Sequence, residues 1–136
     1  MPDAQKTKVL ILDDEHFLLD MYRLIFEKNN YEVTTFDTAD NALVALRGGY
    51  DPDVILFDIT MPGGMSGYEF LEHVKKEGLA IRSMKIALTN EGQDAEKTRL
   101  TELGADGHLL KANFVPSQLA TTVGQMLQAK RSAPQA

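Results

Sequence analysis

Cysteine is absent from the 136 residues, so a disulfide framework, a thiol nucleophile and a cysteine-ligated zinc site are all excluded. That inventory fits a reducing compartment. Apolar runs such as Val9-Leu10-Ile11-Leu12 are of strand length and fall far short of the roughly 20 residues a membrane helix needs. The polar start, Met1 to Lys8, lacks the apolar core of a secretory signal, and the expected location is the cytoplasm. Basic charge is also in deficit. Fourteen Lys+Arg against 20 Asp+Glu leave a net charge of -6, which argues against nucleic-acid binding and gives no handle for a membrane. What is present, 43% hydrophobic and 25% charged residues, is the mixture of one globular domain.

The chain alternates two kinds of pattern. Lys8 to Leu12 and Asp53 to Phe57 are nearly continuous apolar, β-branched runs, as expected of strands buried on both faces of a parallel sheet. Tyr31 to Phe36, Met84 to Leu88 and Gly107 to Leu110 read as three further strands. Between them lie helical stretches. Glu15 to Asn29 carries Phe17, Leu18, Met21, Leu24 and Ile25 at three- and four-residue spacing, which predicts that this set faces the core. Thr38 is placed to cap a second helix bearing Ala39, Ala42, Leu43 and Leu46, and a third presents Phe70, Leu71 and Val74. Asp94 to Leu103 is a fourth helix with a thin apolar face, and Val115 to Ala129 a fifth. Short connections between alternating strands and helices predict a doubly wound α/β fold, a five-stranded parallel sheet with helices on both faces. The expected domain is 7–129, with an extension over 1–6 and a disordered tail over 130–136.

Asp13, Asp14, Asp58, Thr89 and Lys111 each stand at or just past the carboxyl end of a predicted strand, where such sheets bind ligands. Taken singly, each could be the polar start of a loop. In the flavodoxin-like order 2-1-3-4-5, however, Asp13 and Asp14 come beside Asp58, with Thr89 and Lys111 on the flank. Three carboxylates in one crevice repel one another, and Lys111 alone cannot balance them. Mg²⁺ suits such a site, because it accepts a few carboxylates, keeps several waters and binds phosphate oxygens. The expected chemistry is phosphoryl transfer with Asp58 as nucleophile.

These motifs resemble the receiver domains of bacterial two-component response regulators, similar to the chemotaxis response regulator, over about residues 7 to 129. The resemblance is carried by Val9-Leu10-Ile11-Leu12-Asp13-Asp14-Glu15 and by Asp53-Val54-Ile55-Leu56-Phe57-Asp58-Ile59-Thr60-Met61-Pro62 with Gly67 beyond. Ile86-Ala87-Leu88-Thr89 and Gly104-Ala105-Asp106-Gly107-His108-Leu109-Leu110-Lys111 complete it. It implies that Asp58 accepts a phosphoryl group from a sensor histidine kinase or phosphotransfer protein. It also implies that Asp13, Asp14, Asp58 and the Thr60 backbone carbonyl hold Mg²⁺, and that Thr89 and Lys111 engage phosphoryl oxygens. The phosphoryl group then changes a surface read by a downstream effector or by a second copy, through the last two helices and the fifth strand. Such a switch catalyses its own phosphorylation and dephosphorylation and turns over no external substrate.

Several residues depart from the family pattern. Ala112 stands where a proline usually follows the lysine, so a cis peptide is not expected there. The loop Ala112-Asn113-Phe114 and the segment Gly63-Gly64-Met65-Ser66 are each one residue longer than usual. His108 occupies the switch position usually held by Tyr or Phe, and Asn90 replaces a small residue beside the phosphorylation site. These departures support an alternative reading, a degenerate receiver acting as a phosphorylation-independent binding module. A dehalogenase-like phosphatase is disfavoured, since Asp58-Ile59-Thr60 lacks the second acid of an Asp-x-Asp pair. His16 and His73 have no paired ligand spacing and read as solvated or packed. The charge run Glu69, Glu72, Lys75, Lys76 and Glu77 reads as the wet side of a helix.

Overall fold

In the computed structural model, which describes residues 6–90 and 94–132, five parallel strands carry helices on both faces. They are β1 (Thr7–Leu12), β2 (Tyr31–Phe36), β3 (Val54–Asp58), β4 (Met84–Thr89) and β5 (Gly107–Leu110). The helices are α1 (His16–Lys28), α2 (Ala39–Arg47), α3 (Gly67–Lys76), α4 (Asp94–Glu102) and α5 (Pro116–Ser132). The strand order is β2-β1-β3-β4-β5, as expected from the sequence.

Alternation along the strands builds two cores. Val9, Ile11, Val54, Leu56, Ile86 and Leu88 face α1 and α5, while Leu10, Leu12, Ile55, Phe57 and Ala87 face α2, α3 and α4. Each strand therefore reads as continuously apolar because both of its faces are covered. Local signals fix the helix ends. The Thr38 hydroxyl accepts from the Asn41 amide at 3.2 Å, and Ser66 and Glu69 form a reciprocal capping box at the start of α3. Asn30, with φ of 67°, turns the chain out of α1.

Two sequence expectations need correction. The buried residues of α1 are Leu19, Tyr22 and Phe26, whereas Phe17 is 76% and Leu24 59% exposed. Leu18 and Ile25 only flank that core. Apolar residues occupy more than one stripe of this helix, and the stripe bearing the two bulky rings is the one that fills the space between sheet and α5. The helix α5 also runs past Ala129 to Ser132. Lys130 Nζ meets Asp106 at 2.7 Å and an Arg131 Nη meets Asp53 at 2.6 Å, so two residues expected in the tail are paired, and Ser132 continues the helix beyond them. The rest of that expected tail, 133–136, and positions 1–5 of the expected extension lie outside the described residues.

Candidate functional site

Register determines which strand ends meet. Leu12 pairs with Phe57 across β1 and β3, so Asp13 and Asp58, the next residue on each strand, lie side by side. Asp58 is itself the last residue of β3 and pairs with Leu88, and Thr89 pairs with Leu110. Lys111 follows directly. The Asp13 amide donates to the Phe36 carbonyl at 3.1 Å, and the Ile59 amide to Leu88 at 3.4 Å, which continues the sheet spacing past both acids.

Lys111 bridges the two buried acids. Its Nζ lies 2.9 Å from Asp13 Oδ2 and 3.2 Å from Asp58 Oδ2. The remaining oxygens accept from backbone: Asp13 Oδ1 from the Glu15 amide at 3.0 Å and Asp58 Oδ1 from the Thr60 amide at 3.2 Å. Asp14 is more open to solvent, and a carboxylate oxygen from each of Asp13, Asp14 and Asp58 falls within 4.8 Å of the others. Burial raises the Asp58 pKa, as does the charge of Asp13, against the opposing pull of Lys111. Burial also works against the Lys111 ammonium, but its bonds and charge contacts to Asp13 and Asp58 outweigh that and raise its pKa. The set is thus short of positive charge.

The helix α3 closes in from below. The Gly67 amide donates to the Ile59 carbonyl at 2.8 Å, and a Cβ at position 67 would collide with the Asp58 carbonyl oxygen and lie 2.7 Å from Ile59 Cα. Only glycine lets the helix approach this closely. On the opposite flank, Lys111 to Asn113 form a single 3-10 turn, and no cis peptide occurs among the described residues. Lys111 makes both acid contacts from this turn with Ala112 after it.

Asp14, Asp58, Thr60, Asn90 and Lys111 line a cleft of about 580 Å³. Thr89 is buried at the end of β4, and His108 is half-buried on β5. The sequence reading missed the other wall of this cleft, where Tyr22 of α1 and Leu119 of α5 stand. The spacing Leu19–Tyr22–Phe26 was the available signal. His16 and His73 pair with Asp37 and Glu77 on the surface, away from the three acids. No helix among the described residues is long and apolar enough to cross a membrane.

A family profile described as response regulator receiver domain matches residues 9–123. The chain belongs to the response regulator receiver domain family. It is 30% identical over 129 residues to the phosphate regulon transcriptional regulatory protein PhoB of Escherichia coli, covering 95% of this chain and 54% of that protein. It is 32% identical over 121 residues to the response regulator SaeR of Staphylococcus aureus, covering 89% and 50% respectively. The chain spans about half the length of these curated relatives. Among solved structures, a CheY-like receiver domain protein of Methanospirillum hungatei superposes with TM-score 0.80 at 28% identity, covering 93% of this chain and 97% of that one. The chemotaxis response regulator CheY4 of Vibrio cholerae gives 0.79 at 30% identity, with 89% and 98% covered. Receiver domains are signalling switches rather than enzymes turning over an external substrate, and the acid cluster described above is consistent with phosphorylation and Mg²⁺ binding.

Proposed function

We propose that this receiver takes a phosphoryl group on Asp58 from a histidine kinase or phosphotransfer protein, and that the modification changes its partner-binding surface. The observation carrying this reading is the trio of Asp13, Asp14 and Asp58 gathered on one ammonium. Two of the acids are buried, all three offer oxygen donors, and one lysine leaves them undercompensated, so the donor set fits Mg²⁺. Asp13, Asp14 and Asp58 would hold the ion together with the Thr60 backbone carbonyl, and Mg²⁺ there supplies neutralisation of the carboxylates and of the phosphoryl oxygens.

The chain's own residues do the rest. A carboxylate oxygen of Asp58 attacks phosphorus as the P–N bond to the donor imidazole breaks, and the bonding electrons leave with the imidazole, which takes up a proton. Lys111 then pairs with a phosphoryl oxygen in place of one acid contact. Thr89, on the adjacent strand end, supplies a hydroxyl, and with His108 on β5 it forms the route to the output surface. That surface, built from α4, β5 and α5, engages an effector protein or a second copy. Lys111 keeps both acid contacts despite Ala112, which favours a working receiver over a degenerate binding module.

Intact-mass analysis after incubation with acetyl phosphate and Mg²⁺ tests the proposal. The wild type gains one phosphoryl mass and Asp58→Asn gains none, since the amide is isosteric but a poor nucleophile. Labelling of the Asn variant at the wild-type rate would refute Asp58 as acceptor.

A further inference from the structure

A second cleft, of about 220 Å³, lies at the amino end of the sheet, where α3 and α4 terminate. Lys85 on its wall stands four residues before Thr89 on β4, roughly 13 Å from the acid end of that strand. The floor is apolar: Leu71 and Val74 of α3, Leu79 beyond it and Leu103 beyond α4. Both helices finish in the same glycine turn. The Leu79 amide donates to the Val74 carbonyl and the Ala105 amide to the Leu100 carbonyl, each at 2.9 Å, past Gly78 and Gly104 with φ of 67° and 100°. A Cβ on Gly78 would meet nothing within 4 Å, and Ile81 stands 79% exposed at the lip, so the mouth is open.

Lys75 and Lys85 border this floor. Lys75 Nζ donates to the Glu102 carbonyl at 2.7 Å, and Lys85 Nζ to the Ala80 and Ser83 carbonyls at 2.8 and 3.0 Å. Neither ammonium forms an ion pair with a carboxylate among the described residues. Burial lowers the Lys85 pKa and the Lys130 charge adds to this, with the Asp106 charge opposing. An ammonium has three donors, so those not spent on carbonyls can take a further acceptor. The carboxyl ends of α3 and α4 each contribute about half a negative charge, and against two ammonium groups the cleft keeps roughly one net positive charge.

We propose that this cleft binds a free monocarboxylate with a short unbranched apolar chain, the chain lying on Leu71, Val74, Leu79 and Leu103 and the carboxylate between Lys75 and Lys85. One net positive charge matches one carboxylate and not two. The volume is below the roughly 300 Å³ at which sites for drug-sized molecules begin, which limits the ligand to about six to eight carbons. For octanoate, with about ten non-hydrogen atoms, the expected Kd is on the order of 0.1–1 mM. The site is independent of Asp58 as phosphoacceptor.

Methyl NMR of the full chain titrated with sodium octanoate tests this. The methyl resonances of Leu71, Val74, Leu79 and Leu103 are expected to shift saturably, and the Lys85 side chain to titrate at higher pH, because a bound carboxylate favours the ammonium. Acetate, which lacks the chain, and octylamine, which reverses the charge, leave those methyls in place at the same concentration. Lys85→Met weakens octanoate binding about tenfold and the more exposed Lys75→Met about threefold. Ile81→Glu sets a like charge at the exposed lip and weakens binding about threefold without disturbing the packed floor, so it decides the matter if Lys85→Met does not fold. Unmoved methyls at octanoate concentrations well above the expected Kd would overturn the site. So would equal shifts with octylamine, or an octanoate affinity unchanged in both Lys75→Met and Ile81→Glu. Octanoate shifts confined to Leu18 and Leu119 beside Asp58 would overturn it as well, while labelling of Asp58 by acetyl phosphate stands or falls separately.

Discussion

Replacing Lys111 by Met removes an ammonium that contacts two carboxylates while keeping an unbranched side chain of similar reach. The Asp13 side chain is fully buried and that of Asp58 is 7% exposed, so neither recovers its hydration when the lysine is lost. Removing one partner from a buried ion pair costs about 3–5 kcal/mol. Here each acid retains a backbone donor, Glu15 N for Asp13 and Thr60 N for Asp58, which places the expected loss near the lower figure, about 3 kcal/mol at pH 7. For a domain of this size that corresponds to a fall of roughly 10 °C in Tm.

The sign of the pH dependence separates this cause from lost packing. Lys111 has a raised pKa in the folded protein, so its contribution is complete below its ordinary value of 10.5 and fades only as pH rises through the raised one. It is therefore fully present at pH 7. Asp58 is already raised by burial, and loss of the opposing Lys111 charge raises it further. A carboxylate with a raised folded pKa binds protons more readily when folded, so the variant gains stability relative to wild type as pH falls from 7 toward 4. Urea unfolding without divalent ions at several pH values reads this directly. A deficit below about 1 kcal/mol at pH 7, or one that stays constant on acidification, would refute the electrostatic account.

Two other perturbations follow from the same geometry. Gly67→Ala places a methyl against the Asp58 carbonyl and Ile59 Cα; overpacking of this kind costs roughly 1–3 kcal/mol, and displacement of the β3 end slows phosphoryl uptake. Wild-type values in both urea unfolding and intact-mass kinetics would show that the α3 approach does not position Asp58. Between α2 and α3, the Arg47 guanidinium donates to both oxygens of Glu77 at 2.7 Å, and its hydrogen bonds, with that of His73, hold the Glu77 carboxyl at about 2. The stabilisation is present above the ordinary value of 4.5 and is lost as pH falls through about 2, and an NMR titration of Arg47→Ala should return Glu77 toward 4.5. A titration midpoint unchanged by the substitution would contradict the assignment of this shift to Arg47.

The sequence by itself determined the alternation of strands and helices, because a parallel strand buried on both faces must be apolar at every position, as Val9 to Leu12 and Val54 to Phe57 are. It also determined that Asp13, Asp58, Thr89 and Lys111 stand at or just past the ends of their strands, and that Thr38 begins a helix. Tertiary structure decided what these ends meet. Asp13 lies beside Asp58 because Leu12 pairs with Phe57, a contact between residues 45 apart in the chain that no local pattern encodes. Lys111 reaches both acids from a 3-10 turn that the sequence reading did not anticipate. The rotation of α1 was likewise undecided, since apolar residues ring much of that helix. Packing against the sheet and α5 turned Tyr22 inward to the cleft and left Phe17 and Leu24 in solvent, because periodicity shows which stripes can be buried and only the neighbouring surfaces select one.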